Sequence, residues 1–238
     1  MAENSGGGVN QAVILAGGKA TRMRPYTDDR PKAMVEIASK PILEHQIRWL
    51  ADNKVHYIVV SCGYKAEVIQ DHFGDGSFLG ADITYAHEAA PLGRGGGLKF
   101  AAGKLAHPGE RWLGLNGDVL CDFPIHQMVD QHKQTGVAAT IALAQYQTSW
   151  GIADLDGDLI KGFVQSPKLP YWINGGIYCF EPGVTALLPD KGDHEDTTFP
   201  ELAKQAKLGG YKIEGYWRGI DTAKDIIEAS DEIVNKKV

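Results

Sequence analysis

The sequence has few cysteines and no long apolar segment. Its 238 residues include three cysteines, Cys62, Cys121 and Cys179, which are far apart and stand among apolar residues. An odd, scattered set predicts neither a disulfide framework nor a zinc site, and it indicates buried thiols in a reducing cytoplasm. No apolar run approaches the ~20 residues that cross a bilayer, so we expect a soluble protein with no membrane partner.

The chain also lacks an excess of positive charge. Its formal net charge is -6, which disfavours non-specific binding to nucleic acid but allows a local cationic pocket for a small anion. Met1–Asn10 has neither the basic nor the apolar region of a signal peptide, and we expect a flexible tail there. Residues 11–238 are short enough to form a single domain.

Strand and helix patterns alternate along the chain. Gln11–Ala16 and Val55–Ser61 are apolar runs typical of buried strands, and apolar residues at helical spacing lie between them. A later helix is predicted from about Gly97 to Leu105. Repeated βαβ units predict an α/β fold, with a Rossmann-like, mostly parallel sheet flanked by helices and a ligand crevice at the carboxyl ends of its strands.

The first predicted strand leads into a basic, glycine-bearing loop that reads LAGGKATRMRP from Leu15. Its glycines let backbone N–H groups approach phosphate oxygens, and Arg22 can add a bidentate contact. Lys32 follows a proline that stiffens the backbone, so its ammonium group can be fixed beside phosphate charge. Taken singly, however, the glycines fit a strand-ending turn and Lys32 fits a solvated surface residue. The loop matches neither the dinucleotide fingerprint nor a P-loop, which disfavours a dehydrogenase or an ATPase.

Read together, the motifs resemble those of the sugar-1-phosphate nucleotidylyltransferases. LAGGKATR is followed by RPKAM and KPILEH, and the similarity extends through FGDG, PLG, NGD and NGGIY to the segment Trp217–Asp225. The resemblance implies an enzyme that joins a nucleoside triphosphate to a sugar 1-phosphate, releases pyrophosphate and uses Mg2+. We also expect a homo-oligomer, because relatives without a C-terminal β-helix commonly associate.

The same resemblance implies roles for individual residues. Arg22, Lys32 and Asp118 form the expected catalytic set, and Glu88 and Gly93 are expected beside the base. The expected nucleotide-binding residues are Leu15, Ala16, Gly17, Gly18, Arg22, Lys32, Glu88 and Gly93, and the expected sugar-binding residues are Gly151, Asn174 and Glu195. Residues 11–150 would then be the nucleotide-binding half, and 151–238 the smaller sugar-binding half.

Two carboxylates are the candidate metal ligands. Asp118 follows a predicted strand, at the edge where the crevice is expected, and the resemblance makes it a ligand of Mg2+, although an Asn-Gly-Asp turn also explains it. Many family members carry their second aspartate where Gly219 stands here. We assign Asp221 instead, in an ending similar to that of glucose-1-phosphate cytidylyltransferases. The rival interpretation makes Asp221 the N-cap of the next helix.

Three positions depart from the family pattern. Ala20 stands where most relatives have glycine. Ser166 occupies the place of a lysine expected to meet the sugar phosphate, and Lys168 is a candidate replacement. Arg94 replaces a small residue, either as an extra cation at the nucleotide pocket or as an exposed arginine that leads a helix.

The sequence favours GTP but does not fix the base. The motifs NGDV and PLGRGG resemble guanylyltransferases that act on mannose or heptose 1-phosphates, whereas MVEI, SCGYK and the IDT ending resemble cytidylyltransferases. A CTP-dependent glucose-1-phosphate cytidylyltransferase is therefore the alternative. A catalytically silent, nucleotide-sugar-binding regulatory subunit is a further hypothesis, against which Lys32, Asp118 and Asp221 argue.

Overall fold

The structure, a computed structural model of the chain, describes residues 8–18 and 20–235, apart from the side chain of Arg22. Residues 1–7 of the predicted tail lie outside this part. Val9 is buried, and the carbonyl of Asn10 accepts an amide hydrogen bond from Tyr57 at 3.1 Å. None of the helices in the described ranges has the length and apolar character that a bilayer span requires.

Strands and helices alternate through most of the chain. The strands are β1 (Gln11–Leu15), β2 (Glu36–Ile37), β3 (Lys40–Pro41), β4 (Tyr57–Cys62), β5 (Asp82–His87), β6 (Trp112–Asn116), β7 (Val119–Asp122), β8 (Ala139–Gln147), β9 (Ile152–Asp156), β10 (Leu159–Val164), β11 (Lys168–Phe180), β12 (Leu208–Lys212) and β13 (Tyr216–Gly219). The helices are α1 (Ile42–Asp52), α2 (Ala66–Phe73), α3 (Gly93–Ala102), α4 (Ile125–Thr135), α5 (Thr198–Lys204) and α6 (Ala223–Val234).

Seven strands form the central sheet, in the order β12-β8-β11-β6-β1-β4-β5. Its neighbours pair in parallel except at β11, which runs antiparallel to both β6 and β8. The predicted α/β fold with a mostly parallel sheet is therefore confirmed. Strands from both sides of residue 150 share this sheet, and the division of the chain into two functional halves stays a prediction.

The core lies on both faces of the sheet. Ile14 of β1 belongs to a buried cluster with Leu50 of α1, whereas the adjacent Val13 belongs to a second cluster with Leu98 of α3. Successive strand residues point to opposite faces, so a strand covered on both sides is apolar throughout. This explains why the β1 segment is a continuous apolar run in the sequence.

Helix α3 begins earlier than the sequence predicts. It spans Gly93–Ala102, whereas the spacing of apolar residues predicted Gly97–Leu105. The carbonyl of Gly192 accepts amide hydrogen bonds from the first turn at 2.9 and 3.1 Å, and the carboxylate of Asp193 accepts one from the amide of Arg94 at 2.8 Å. These partners from a distant segment support a glycine-rich turn that has no apolar periodicity of its own.

Candidate active site

A cavity of about 580 Å3 lies at the carboxyl edge of the central sheet. Its walls come largely from the segments that follow β1, β4, β5 and β6. Parallel strands end at the same edge, which is where ligands bind in open α/β sheets. The sequence-predicted residues that line this cavity are Leu15, Ala16, Gly17, Gly18, Lys32, Glu88, Gly93 and Asp118. The side chain of Arg22 lies outside the described part of the chain.

Gly117 allows the ends of β1 and β6 to approach each other closely. A Cβ at this position would lie 2.1 Å from the carbonyl oxygen of Leu15, so a larger residue does not fit without backbone movement. The tight approach brings the next residue, Asp118, to the cavity. The Asn-Gly-Asp segment thus makes a close backbone contact and also places a carboxylate at the cavity.

Lys32 lies between two carboxylates. Its Nζ donates to Oδ2 of Asp118 at 2.8 Å and to Oδ1 of Asp221 at 2.9 Å, and its side chain is only 14% exposed. The short helical turn Lys32–Met34 positions the lysine, and Ala33 and Met34 fix that turn by being buried. A charge-assisted contact to both carboxylates holds the three side chains together.

The pairing of β7 with β13 brings the two aspartates together. Val119 lies opposite Gly219 in this antiparallel ribbon, and the amide of Ile220 donates to the carbonyl of Asp118 at 2.9 Å. Asp221 follows directly and therefore reaches the same lysine. Sequence reasoning selected both aspartates, but only the ribbon shows how they meet.

The N-cap of α6 is Thr222, so the interpretation of Asp221 as the helix cap is wrong. The Thr222 side chain accepts a hydrogen bond from the amide of Asp225, and the Asp225 carboxylate accepts one from the amide of Thr222 at 2.8 Å. This reciprocal pair is a capping box. The carboxylate of Asp221 is directed to Lys32 instead.

The two aspartates fit a magnesium ion that is shared with a phosphorylated ligand. Among the described residues, no cluster of three or more acidic, histidine or cysteine side chains could hold a metal alone. Mg2+ commonly takes only one or two protein carboxylates and completes its shell with phosphate oxygens and water. Asp118 and Asp221, whose oxygens converge on one cationic group, provide that donor set.

Glu88 contributes a fixed carboxylate to the cavity wall. Its Oε1 accepts a hydrogen bond from Oγ of Ser61 at 2.8 Å, and its Oε2 accepts one from the amide of Leu92 at 3.1 Å. An ionised carboxylate has about four lone-pair sites, so each oxygen can still accept a donor from a ligand. The wall therefore presents oriented acceptors.

Arg94 and Asp193 also line the cavity, beside Gly93. Both alternatives for Arg94 hold in part, because its side chain lines the cavity and is also 51% exposed in the first turn of α3. Its Nη2 donates to Oδ2 of Asp193 at 2.7 Å, and this hydrogen bond lowers the pKa of the Asp193 carboxyl. Sequence reasoning missed Asp193, because nothing near it in the sequence signals a contact with the start of α3.

The three expected sugar-binding residues do not line this cavity. The ring of Phe163 covers Gly151, as a Cβ on Gly151 would lie 2.1 Å from an atom of that ring. Asn174 accepts from the amide of Gly176 at 2.8 Å and donates to the hydroxyl of Tyr178 at 3.0 Å. Their sugar-binding roles stay predictions.

The third of these residues, Glu195, lies 3.3 Å from Nε of Arg94, and burial raises its pKa. Ser166 is half-buried and Lys168 is exposed at the start of β11, also away from the cavity lining. Whether Lys168 replaces the missing lysine stays a prediction as well.

A glycine-walled cavity at the carboxyl edge of a parallel sheet, with a lysine and paired carboxylates, is the arrangement of an α/β protein that binds phosphorylated ligands. The chain belongs to the nucleotidyl transferase family, whose model matches residues 11–236. The resemblance noted in the sequence motifs is thereby confirmed.

Curated relatives of the chain carry mannose-1-phosphate guanylyltransferase names. The catalytic subunit beta from Drosophila pseudoobscura pseudoobscura is 35% identical over 228 residues, which are 93% of this chain and 62% of that protein. The Mycobacterium tuberculosis enzyme is 34% identical over 232 residues, which are 94% of this chain and 64% of that protein. The chain thus spans somewhat less than two thirds of these relatives.

Solved structures share the fold over almost the whole chain. HddC from Yersinia pseudotuberculosis has a TM-score of 0.75 and 25% identity, with coverage of 94% of this chain and 100% of that one. The same protein complexed with GMP-PN has a TM-score of 0.73.

Proposed function

We propose that the chain is a sugar-1-phosphate guanylyltransferase that acts on GTP and a mannose- or heptose-type 1-phosphate. The observation that carries this proposal is the contact of Lys32 with Asp118 and Asp221 at the cavity, in a chain similar to mannose-1-phosphate guanylyltransferases. A phosphate oxygen of the sugar 1-phosphate attacks the α-phosphorus of GTP. The bond from the α-phosphorus to the bridging oxygen breaks, and pyrophosphate leaves with the electron pair.

The residues of the cavity, together with Arg22, each have a task in the proposed reaction. The backbone from Leu15 to Gly18 and the guanidinium of Arg22 bind the triphosphate. Lys32 stabilises the charge that develops as the phosphoryl group is transferred. Asp118 and Asp221 would hold Mg2+, which supplies charge neutralisation between adjacent phosphates.

The carboxylate of Glu88 supports GTP over CTP. Guanine carries N–H donors on its Watson–Crick edge, including the N2 amino group, and a carboxylate can only accept. Guanine presents N1–H and the N2 amino group as adjacent donors, whereas cytosine has one donor group, its N4 amino group, beside the acceptors N3 and O2. A carboxylate can therefore pair with two adjacent donors only on guanine. Because Ser61 and the amide of Leu92 fix the Glu88 oxygens, this preference is built into the wall.

The test is pyrophosphate release by the purified chain across GTP, CTP, UTP, dTTP and ATP, each with mannose, heptose and glucose 1-phosphates. We expect release with GTP and a mannose or heptose 1-phosphate. Release from CTP with glucose 1-phosphate would instead identify the cytidylyltransferase. Binding of GDP-mannose without turnover of any pair would identify a silent regulatory subunit.

We further propose that residues 11–150 serve nucleotide binding, that 151–238 serve sugar binding, and that the protein works in the cytoplasm. Most of the cavity lining precedes residue 150, which supports the first assignment. The buried thiols of Cys62 and Cys179 are unpaired, which suits a reducing compartment. Burial raises the pKa of the Cys62 thiol to about 11.

We also propose that two copies of the chain associate through the β9–β10 hairpin. Leu155 and Ile160 are paired across its strands and, with Phe163, share one face, where they are 62, 62 and 63% exposed. A hairpin that pairs with no other described strand can meet its own copy across a two-fold axis.

A further inference from the structure

We infer that Arg94 recognises the O6/N7 edge of the guanine base and is a specificity-determining residue, an inference that rests on the proposed guanylyltransferase function. The family resemblance implies no such role for Arg94, whose place in the site the structure shows. The geometry of the guanidinium carries the argument.

One edge of the Arg94 guanidinium is anchored by carboxylates. Nη2 donates to Asp193 at 2.7 Å, and Nε lies 3.3 Å from Oε1 of Glu195. The other oxygen of Asp193 accepts from the backbone amide of Arg94 at 2.8 Å. These contacts hold the side chain at the cavity wall in a defined orientation, so a ligand does not have to immobilise it.

The opposite edge of the guanidinium remains for a ligand. A guanidinium presents one pair of N–H groups on its Nε/Nη2 edge and another on its Nη1/Nη2 edge. Within residues 8–18 and 20–235, neither a hydrogen bond nor an ion pair engages Nη1 of Arg94. A planar pair of donors of this kind suits two adjacent acceptors on one ligand.

Guanine supplies such a pair of acceptors. Its O6 and N7 accept bidentate contacts from arginine, whereas adenine offers a donor beside its N7 and cytosine has no equivalent pair. Arg94 lies two residues beyond Leu92, whose amide binds Glu88, and both charged side chains line the same cavity. Glu88 would therefore accept from the Watson–Crick edge of guanine while Arg94 donates to the adjoining edge.

The backbone that carries Arg94 is itself fixed. Gly93 has a φ of +79°, and a Cβ there would lie 2.8 Å from the backbone of Gly192. Hydrogen bonds between the backbone of Gly192 and the residues at the start of α3 hold these two segments together. The guanidinium of Arg94 is thus carried on a fixed backbone.

The test uses 7-deaza-GTP, in which a C–H group replaces N7. We would measure kcat/KM for GTP and for 7-deaza-GTP, with mannose 1-phosphate, in the wild type, Arg94→Ala and Arg94→Lys. The wild type is expected to prefer GTP by roughly 5- to 100-fold. Both variants should lose most of this preference, because lysine retains the charge but not the bidentate geometry.

Lys99→Ala is the matched control. Lys99 joins the same helix to the same loop through Asp190 at 2.8 Å, but neither residue lines the cavity. This variant should retain the preference for GTP. Equal use of the two nucleotides by the wild type, or an undiminished preference in Arg94→Ala, would overturn the inference.

Calorimetric binding of the two nucleotides separates this inference from the proposed function. A wild type that binds GTP more tightly than 7-deaza-GTP but releases no pyrophosphate would refute the enzyme and keep the role of Arg94. Pyrophosphate release from GTP without any preference over 7-deaza-GTP would support the enzyme and refute the role of Arg94. A preference for CTP in both assays would refute both.

Discussion

Asp118 and Asp221 lie far apart in the sequence, yet both accept a hydrogen bond from the ammonium group of Lys32, at 2.8 and 2.9 Å. Two neighbouring carboxylates repel each other unless a cation lies between them. Lys32 provides that cation in the protein alone, and Mg2+ would add positive charge between the aspartates and the phosphates during the reaction. The three side chains therefore act as one unit, and each is tested by a different measurement.

Lys32→Ala should lower kcat by about 100-fold or more, because a fixed charge at the transferring phosphoryl group is lost. The measurement is pyrophosphate release at saturating GTP and mannose 1-phosphate. Circular dichroism of the variant, recorded with Mg2+ present, checks that the fold persists. Turnover close to that of the wild type would remove Lys32 from the mechanism.

Asp221→Asn should lower activity strongly and raise the Mg2+ concentration needed for half-maximal rate, because a neutral amide is a poorer ligand for a hard cation. The matched variant is Thr222→Ala, which removes the N-cap of α6. It should destabilise the protein by about 1 kcal/mol and leave the Mg2+ dependence unchanged. Identical Mg2+ titrations for Asp221→Asn and the wild type would leave Asp118 as the only supported ligand.

Glu88→Gln should reduce kcat/KM for GTP by roughly 10-fold or more and narrow the gap to UTP and dTTP, since an amide offers a donor as well as an acceptor. The same triphosphate series used for the wild type gives the comparison. Thermal melting of the variant checks whether a change in the hydrogen bonds that residue 88 makes with Ser61 and Leu92 destabilises the fold. An unchanged order of kcat/KM values among the triphosphates would show that the base does not contact Glu88.

Removal of divalent metal should stop the reaction. Without the ion, the negative charges of the phosphates and of the carboxylates of Asp118 and Asp221 would lie together uncompensated. Pyrophosphate release should cease in excess chelator and return when Mg2+ is added beyond the chelator concentration. Full activity in chelator would contradict the metal assignment.

Leu155→Glu should convert a dimer to a monomer, because it places a charge in the apolar face of the β9–β10 hairpin. Sedimentation velocity at micromolar concentration measures the change. Leu187→Glu is the control, since Leu187 is 56% exposed and lies outside the hairpin. A monomeric wild type, or a dimer that survives Leu155→Glu, would refute the proposed interface.

The sequence by itself determined the fold class and predicted eight of the residues that line the cavity. The phosphate loop from Leu15 to Gly18 and Asp118 come at the ends of the apolar strands β1 and β6, whereas Glu88 and Gly93 were expected from the family resemblance. Strand ends of repeated βαβ units meet at one edge, so local patterns are enough to bring the phosphate loop and Asp118 together. The lysine after Pro31 was identified only when its motif was read together with the phosphate loop, and the structure places it at the same cavity.

Only the tertiary structure decided the contacts between distant segments. Thr222 is the cap of α6, and Asp221 turns to Lys32 because β13 pairs with β7. Likewise, the early start of α3 and the anchoring of Arg94 depend on Gly192 and Asp193. Such contacts join segments that carry no shared periodicity or spacing, because their free energy comes from partners that only the folded chain brings within hydrogen-bonding distance.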